Sequence, residues 1–300
     1  MTTHSGGTRT DGSGSLRITQ LLESSIRDIG IPPCPTILNR INTEVHKEEP
    51  DFNHIAQIIG SDVSLAASFI SIANSPYFGL RNRVRSVNEA LMILGLDVAS
   101  HAIAGLIIRK LFPAIPVLER FWDTSACIAR LSGWLAQQDS IGIKARADDA
   151  YTFGLFRDCG IAVLLKRFTY YQVILNEANN DEKHNFTDTE ERVFPTNHAV
   201  VGCLLAQSWH LPEEICLAIR HHHNYPMLSE QDRSTTLPAT TLGLIAIAQL
   251  AEHLVQRHTS LCQTREWAKA GSACLRLLNV TDNGLTQLYA ESAPIVATRE

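Results

Sequence analysis

Residues 62–79 read DVSLAASFISIANSPYFG, and the fold class turns on the period of that stretch. Leu65, Phe69 and Ile72 form one apolar stripe, with Ala66, Ile70 and Ala73 beside it. Spacings of three and four put both rows on one face of a helix, whereas a half-buried strand would alternate with period two. Asp62 can cap the first turn through its carboxylate. Asn74-Ser75-Pro76 ends the helix, because proline pushes the residue before it out of helical backbone.

The same period extends to both sides. Upstream, Ser15–Ile29 reads as a helix stopped by Gly30 and Pro32-Pro33. Thr36–Lys47 reads as another, with Ile37, Ile41 and Val45 on one face, and Asn53 can cap a short helix through Ile59. Downstream, Ser86 and Glu89 form a capping-box pattern, S-x-x-E, before Ala90, Leu91 and Leu94, and Gly95 supplies the stop. Asp97 opens a helix over Val98–Leu111, and Pro113 with Pro116 breaks the pattern. Further helices fit Val117–Gln137, Asp148–Phe156, Asn197–Trp209, Pro212–His222 and Thr241–Gln256, and Thr187 with Glu190 repeats the capping box. In the last helix Ile247, Leu250, Ala251 and Leu254 share the apolar face, with Gln249, Glu252, His253 and Gln256 opposite. The expected fold class is therefore all-α, with two closely packed helical lobes at residues 15–113 and 114–292. An N-terminal disordered tail at 1–14 and a C-terminal tail at 293–300 are expected to flank them.

The chain has 300 residues, 45% apolar and 19% charged, as in an ordinary globular protein. Its formal net charge is −5, which argues against nucleic acid as a partner. No uninterrupted apolar run reaches membrane-spanning length, so no membrane contact is expected. The longest candidate, Leu242–Leu250, contains Gln249 and is soon followed by Glu252. The first fifteen residues carry no apolar secretory core. Seven cysteines (Cys34, Cys127, Cys159, Cys203, Cys216, Cys262 and Cys274) form no C-x-x-C pair. They read as reduced, mostly buried thiols, and the expected location is cytoplasmic.

Several short motifs then line up in order. The first lobe has Ile31-Pro32-Pro33-Cys34-Pro35, Ile58-Ile59-Gly60-Ser61-Asp62, Ala73-Asn74-Ser75-Pro76-Tyr77-Phe78-Gly79 and Ala90-Leu91-Met92-Ile93-Leu94-Gly95. The second has Phe121-Trp122 with Thr124-Ser125, then Gly154-Leu155-Phe156-Arg157-Asp158-Cys159-Gly160. Glu190, His198-Ala199-Val200-Val201-Gly202, Trp209-His210-Leu211-Pro212 and His221-His222-His223 follow. Over roughly residues 16–226 this order and spacing resembles the HDOD domains. The resemblance implies a helical fold related to the HD phosphohydrolases, with an HD-domain-like C-terminal lobe. Those enzymes hold divalent metals with His and Asp side chains from separate helices, because a metal activates water and screens phosphate charge. The HDOD relatives are regulatory modules without that activity, many of them in bacterial signalling.

At the position of the family's His-Asp pair this chain has Arg157-Asp158, and Thr124 stands where hydrolases carry an earlier histidine. A guanidinium offers a metal no lone pair, and threonine is a poor ligand, so no catalytic residue and no metal are expected. The residual metal candidates are Asp158, His198, His222 and His223. Asp158 reads first as a carboxylate paired with Arg157 or capping backbone near Gly160, and His198 as a satisfied core histidine. Adjacent helical residues point about 100° apart, so the triple His221-His222-His223 cannot converge whole on one metal from a regular helix. A weak or adventitious divalent ion, zinc, nickel or copper, remains open. Asn74 reads as a structural turn residue. Arg81, Arg83, Arg85 and Arg157 are candidate contacts to an acidic partner or a phosphate, because arginine forks suit both. Ser125, Cys127 and Cys159 read as buried groups without a catalytic relay. The leading function is signal transduction through a regulatory protein partner. The alternatives are a metal-dependent phosphohydrolase acting on a phosphate ester or cyclic nucleotide, and a nucleotide-sensing module that binds without cleaving.

Overall fold

The computed structural model describes residues 29–75, 83–112, 116–143, 145–228, 237–259 and 264–297. Among the described residues the regular elements are all helical. The first lobe holds α1 (Thr36–Val45), α2 (Phe52–Gly60), α3 (Val63–Ala73), α4 (Val87–Leu94) and α5 (Leu96–Leu111). The second opens with α6 (Pro116–Ala136), α7 (Ala147–Phe156), α8 (Cys159–Arg167) and α9 (Tyr171–Asn180). It continues through α10 (Phe186–Glu191), α11 (His198–Ser208), α12 (Glu213–His221) and a 3₁₀ turn (Tyr225–Leu228). It closes with α13 (Ala239–Thr259), α14 (Glu266–Leu277) and α15 (Asp282–Ala297).

Local chemistry sets most of the first lobe. In α3 the Asp62 carboxylate accepts from the Leu65 amide at 2.9 Å, and Leu65, Phe69, Ile72 and Ala73 are buried. Asn74 closes the helix: its amide donates to the carbonyls of Ile70 and Val84 and accepts from the Val84 amide. Ser86 accepts from the Glu89 amide, and the Glu89 carboxylate accepts from the Arg85 amide, which completes the expected capping box one residue early. Gly95 has φ +77°, a backbone that L side chains rarely adopt, so it can end α4 and begin α5 at a single residue.

Some expectations are corrected. The α2 cap is Asp51, whose carboxylate accepts from the amides of Asn53 and His54; Asn53 already lies inside the helix. The capping box at Thr187 and Glu190 does not form, because α10 starts earlier at Phe186 and Glu190 is drawn inward to bond His198 and Tyr171. Gln249 and Glu252, expected on the polar face of α13, are buried with the rest of that helix. The C-terminal tail expected from residue 293 is helical as far as Ala297, where Ile295 and Val296 pack against the core. The helices α8, α9, α14 and α15 were not delimited from sequence. Outside the described residues lie the tail 1–14, the helix expected over Ser15–Ile29 except Ile29, the Pro76–Gly79 motif, Arg81, Pro113 and Cys262.

One contiguous apolar core runs from Ile31 to Leu288 and joins both lobes. Gly105 in α5 faces Leu155 of α7 so closely that an added Cβ would sit 2.1 Å from a Leu155 methyl. Trp209, just past α11, is fully buried in the seam; its indole N–H donates to the Pro32 carbonyl, and its own carbonyl accepts from the Asn42 amide. No single helix among the described residues is long and apolar enough to cross a membrane.

Candidate functional site

Three chain reversals in the second lobe bring polar side chains together. Arg157 and Asp158 sit between α7 and α8, His198 opens α11, and His222 and His223 follow the last residue of α12. Helix α12 stops at His221, and the turn that follows brings His222 and His223 into the group, while His221 stays outside it. The α8–α11 approach depends on Gly160. A Cβ there would lie 2.1 Å from the His198 carbonyl oxygen and 2.7 Å from the Gly202 nitrogen. Only a bare backbone lets the two helix starts meet and sets Asp158 beside His198.

One ligand atom from each of Asp158, His198, His222 and His223 lies within 4.8 Å of the others. The Nε2 atoms of His198 and His222 are 3.2 Å apart, and those of His198 and His223 are 3.1 Å apart. Asp158 Oδ1 is 3.2 Å from His222 Nε2 and 3.7 Å from His198 Nε2. Each Nδ1 faces an oxygen: Glu190 for His198, the Ile219 carbonyl for His222, and Glu266 with the Tyr225 hydroxyl for His223, at 2.7 to 3.1 Å. The Ile219 carbonyl can only accept, so His222 carries its proton on Nδ1. The same tautomer suits the other two rings, which leaves three unprotonated Nε2 atoms gathered with a carboxylate oxygen. Such an arrangement is unfavourable when empty and favourable around a cation.

The spacing fits a metal. Four donors placed tetrahedrally at about 2.0–2.1 Å from zinc stand roughly 3.3 Å from each other. Three imidazoles and one carboxylate match the imidazole-binding transition metals better than magnesium or calcium, which prefer oxygen. The residual candidates named from sequence therefore fit a single divalent ion as a group, although the expectation was that the site would hold none. His198 is at the same time the satisfied, fully buried histidine that was expected.

Burial lowers the basicity of His222 against the opposing pull of the Asp158 carboxylate, and lowers that of His223 more strongly, where the neighbouring imidazoles add to the effect. Burial also acts against His198, but the Glu190 and Asp158 carboxylates outweigh it and raise its pKa. Asp158 is held well below the usual carboxylate range: burial opposes ionisation, while the Arg157 charge and the His222 contact more than offset it.

Arg157 is buried, with Nε 3.0 Å from Asp158 Oδ2 and Nη2 3.0 Å from Glu252 Oε2. Asp158 thus pairs with Arg157 as expected, but its side chain does not cap α8. Thr124, also buried, donates its hydroxyl to the Arg120 carbonyl. Thr124, Arg157, Asp158, His223, Glu252 and Glu266 all border a cavity of about 360 Å³, which the exposed Arg120 also lines. Arg83 and Arg85 are exposed and do not line it. Ser125 bonds the Phe121 carbonyl, and burial pushes the Cys159 thiol far up, which leaves neither activated.

Four participants escaped the sequence reading of the site: Glu252, Glu266, Tyr171 and Tyr225. Glu252 reads from sequence as part of a polar face with Gln249, His253 and Gln256, which hides its burial. Glu266 and the tyrosines had no local signal, because they reach the cluster only through packing of α9, α14 and the 3₁₀ turn.

The fold recurs in proteins of known structure. An HDOD domain protein of unknown function from Geobacter sulfurreducens aligns with a TM-score of 0.60 and 22% identity, over 95% of this chain and 97% of its own. A protein of Shewanella amazonensis SB2B provisionally named a phosphohydrolase aligns with a TM-score of 0.65 and 17% identity, over 92% and 95%. In sequence, an uncharacterized protein of Treponema pallidum (strain Nichols) is 26% identical over 219 aligned positions, with 71% of this chain and 42% of that protein covered. This chain thus spans less than half the length of that relative. The model of the HDOD domain matches residues 31–225, a span that contains Thr124, Arg157 and the whole donor set, and the chain belongs to the HDOD domain family.

Proposed function

We propose that this chain is a cytoplasmic regulatory module that works by binding a protein partner and does not hydrolyse phosphate esters. The observation that carries the reading is the Arg157 guanidinium, buried at a ligand position of the related hydrolases and ion-paired with Asp158 and Glu252. A permanent cation held there repels a second metal ion, and it takes up the carboxylates that would otherwise bind one. The same engagement argues against the nucleotide-sensing reading, in which Arg157 would have to turn to a phosphate.

Asp158, His198, His222 and His223 would hold one divalent metal, and such an ion would supply positive charge to polarise a bound oxygen. This donor set is what favours the second reading, a metal-dependent phosphohydrolase with an altered ligand set. The two are separated by turnover assays of untagged protein on phosphodiesters and nucleotides with manganese, iron and magnesium. We expect no turnover, and none after Arg157→His, because Thr124 still leaves a ligand position empty. Turnover abolished by Asp158→Ala or His198→Ala would establish the hydrolase instead. The partner reading is tested by pull-down from native lysate and titration of the purified captured protein; failure to find any saturable complex would refute it.

A further inference from the structure

Acids outnumber bases among the groups bonded around the three imidazoles. Glu190, Asp158, Glu252 and Glu266 stand against Arg157 and Lys269, on side chains that are 0 to 18% exposed. An acidic surround suits a cation held beside the Nε2 atoms, where Asp158, His198, His222 and His223 gather within 4.8 Å of one another.

Two of the acids lie behind the donors. Glu190, fully buried, bonds His198 Nδ1 at 2.7 Å, also accepts from the His198 amide at 3.3 Å, and is itself bonded by the Tyr171 hydroxyl. Glu266 bonds His223 Nδ1 at 2.7 Å and is fixed by Lys269 at 2.7 Å and by the Tyr225 hydroxyl. A carboxylate on Nδ1 fixes the tautomer, aims the ring and makes Nε2 a stronger donor.

We propose that Glu190 and Glu266 are positioning residues for a single divalent transition metal of the imidazole-binding class, with Glu190 orienting His198 and Glu266 orienting His223. The inference rests on the metal-holding reading of Asp158, His198, His222 and His223 given above. The ion is recognised by its double charge and its preference for nitrogen; zinc or cobalt satisfies both, and magnesium satisfies only the first.

The test uses the full chain, stripped of metal with chelator and titrated with Co²⁺ and Zn²⁺ against a competing chelator. Co²⁺ also gives a visible absorption band that reports the geometry of its donors. Wild type is expected to take up one equivalent, with excess Mg²⁺ failing to displace it. Glu190→Gln and Glu266→Gln are expected to weaken affinity by about ten- to a hundredfold each and to shift the cobalt band. Glu44→Gln removes a buried carboxylate of the first lobe, paired with Lys47 and His54 away from the cluster, and is expected to change neither readout. Unchanged helical circular dichroism identifies variants that fold, and the two site variants serve as alternates if one does not. Tight cobalt in wild type with unchanged affinity and spectrum in the Gln variants would overturn the positioning roles while leaving the metal reading intact. No metal uptake by wild type would remove both, and ready displacement by Mg²⁺ would overturn the assignment of metal class.

Discussion

The substitution Gly160→Ala tests whether the α8–α11 contact builds the site. The added methyl carbon would stand 2.1 Å from the His198 carbonyl oxygen, where ordinary contact begins near 3.4 Å, so the overlap is about 1.3 Å. The Gly202 nitrogen at 2.7 Å blocks the other direction of escape. Both obstacles are backbone atoms of α11, so no rotamer change relieves them and the two helices have to separate. Overpacking costs about 1–3 kcal/mol where side chains can adjust. For a backbone clash we take the upper end, about 3 kcal/mol. At roughly 2–4 °C per kcal/mol for a chain of this class, the melting temperature should fall by about 6–12 °C. Gly60→Ala is the matched control. Gly60 ends α2, is exposed, and has nothing within 4 Å of its added Cβ, so the change should raise stability by about 0.5–1 kcal/mol. Calorimetry and urea unfolding of both variants provide the comparison. A Gly160→Ala protein within about 0.5 kcal/mol of wild type would refute the claim that bare backbone at this point holds the site together.

Two further outcomes follow from contacts away from the cluster. Trp209→Phe removes the indole N–H that donates to Pro32 across the lobe seam, while the remaining ring can still meet Phe156 edge-on. Urea unfolding should show a loss of about 1–2 kcal/mol from the hydrogen bond and the lost ring volume, and no measurable loss would deny Trp209 a role in joining the lobes. His253 stacks on Trp267 with centroids 4.1 Å apart, and burial together with the Arg257 charge lowers its pKa to about 4. Below about pH 6.5 the unfolded chain takes up this proton and the native one does not, so stability falls as pH drops from about 6.5 to about 4. Because the ring is only half buried, screening reduces the contribution to about 1 kcal/mol. His253→Phe should flatten the pH slope by that amount, and an unchanged slope would rule the residue out as its source.

The fold class was legible because helix signals are local. Leu65, Phe69 and Ile72 report a helix whatever lies beyond them, and the caps at Asp62 and Ser86 act on amides three residues away. The boundaries were less legible where two polar residues competed for one role, as Asp51 and Asn53 did at the start of α2. The site divides along the same line. Residue chemistry alone determined that Arg157 cannot ligate a metal, and that Asp158, His198, His222 and His223 could. Only the tertiary structure decided that those four converge, since that depends on α12 ending at His221 and on Gly160 admitting the α11 backbone. It also decided that Glu190 leaves its expected cap for His198, and that Glu252 and Glu266 turn inward from α13 and α14. Caps and periods depend on neighbours a few residues apart, so sequence displays them. A buried charge cluster depends on contacts such as His198 to His222, 24 positions apart, and Asp158 to His222, 64 apart, and those are set only when the helices pack.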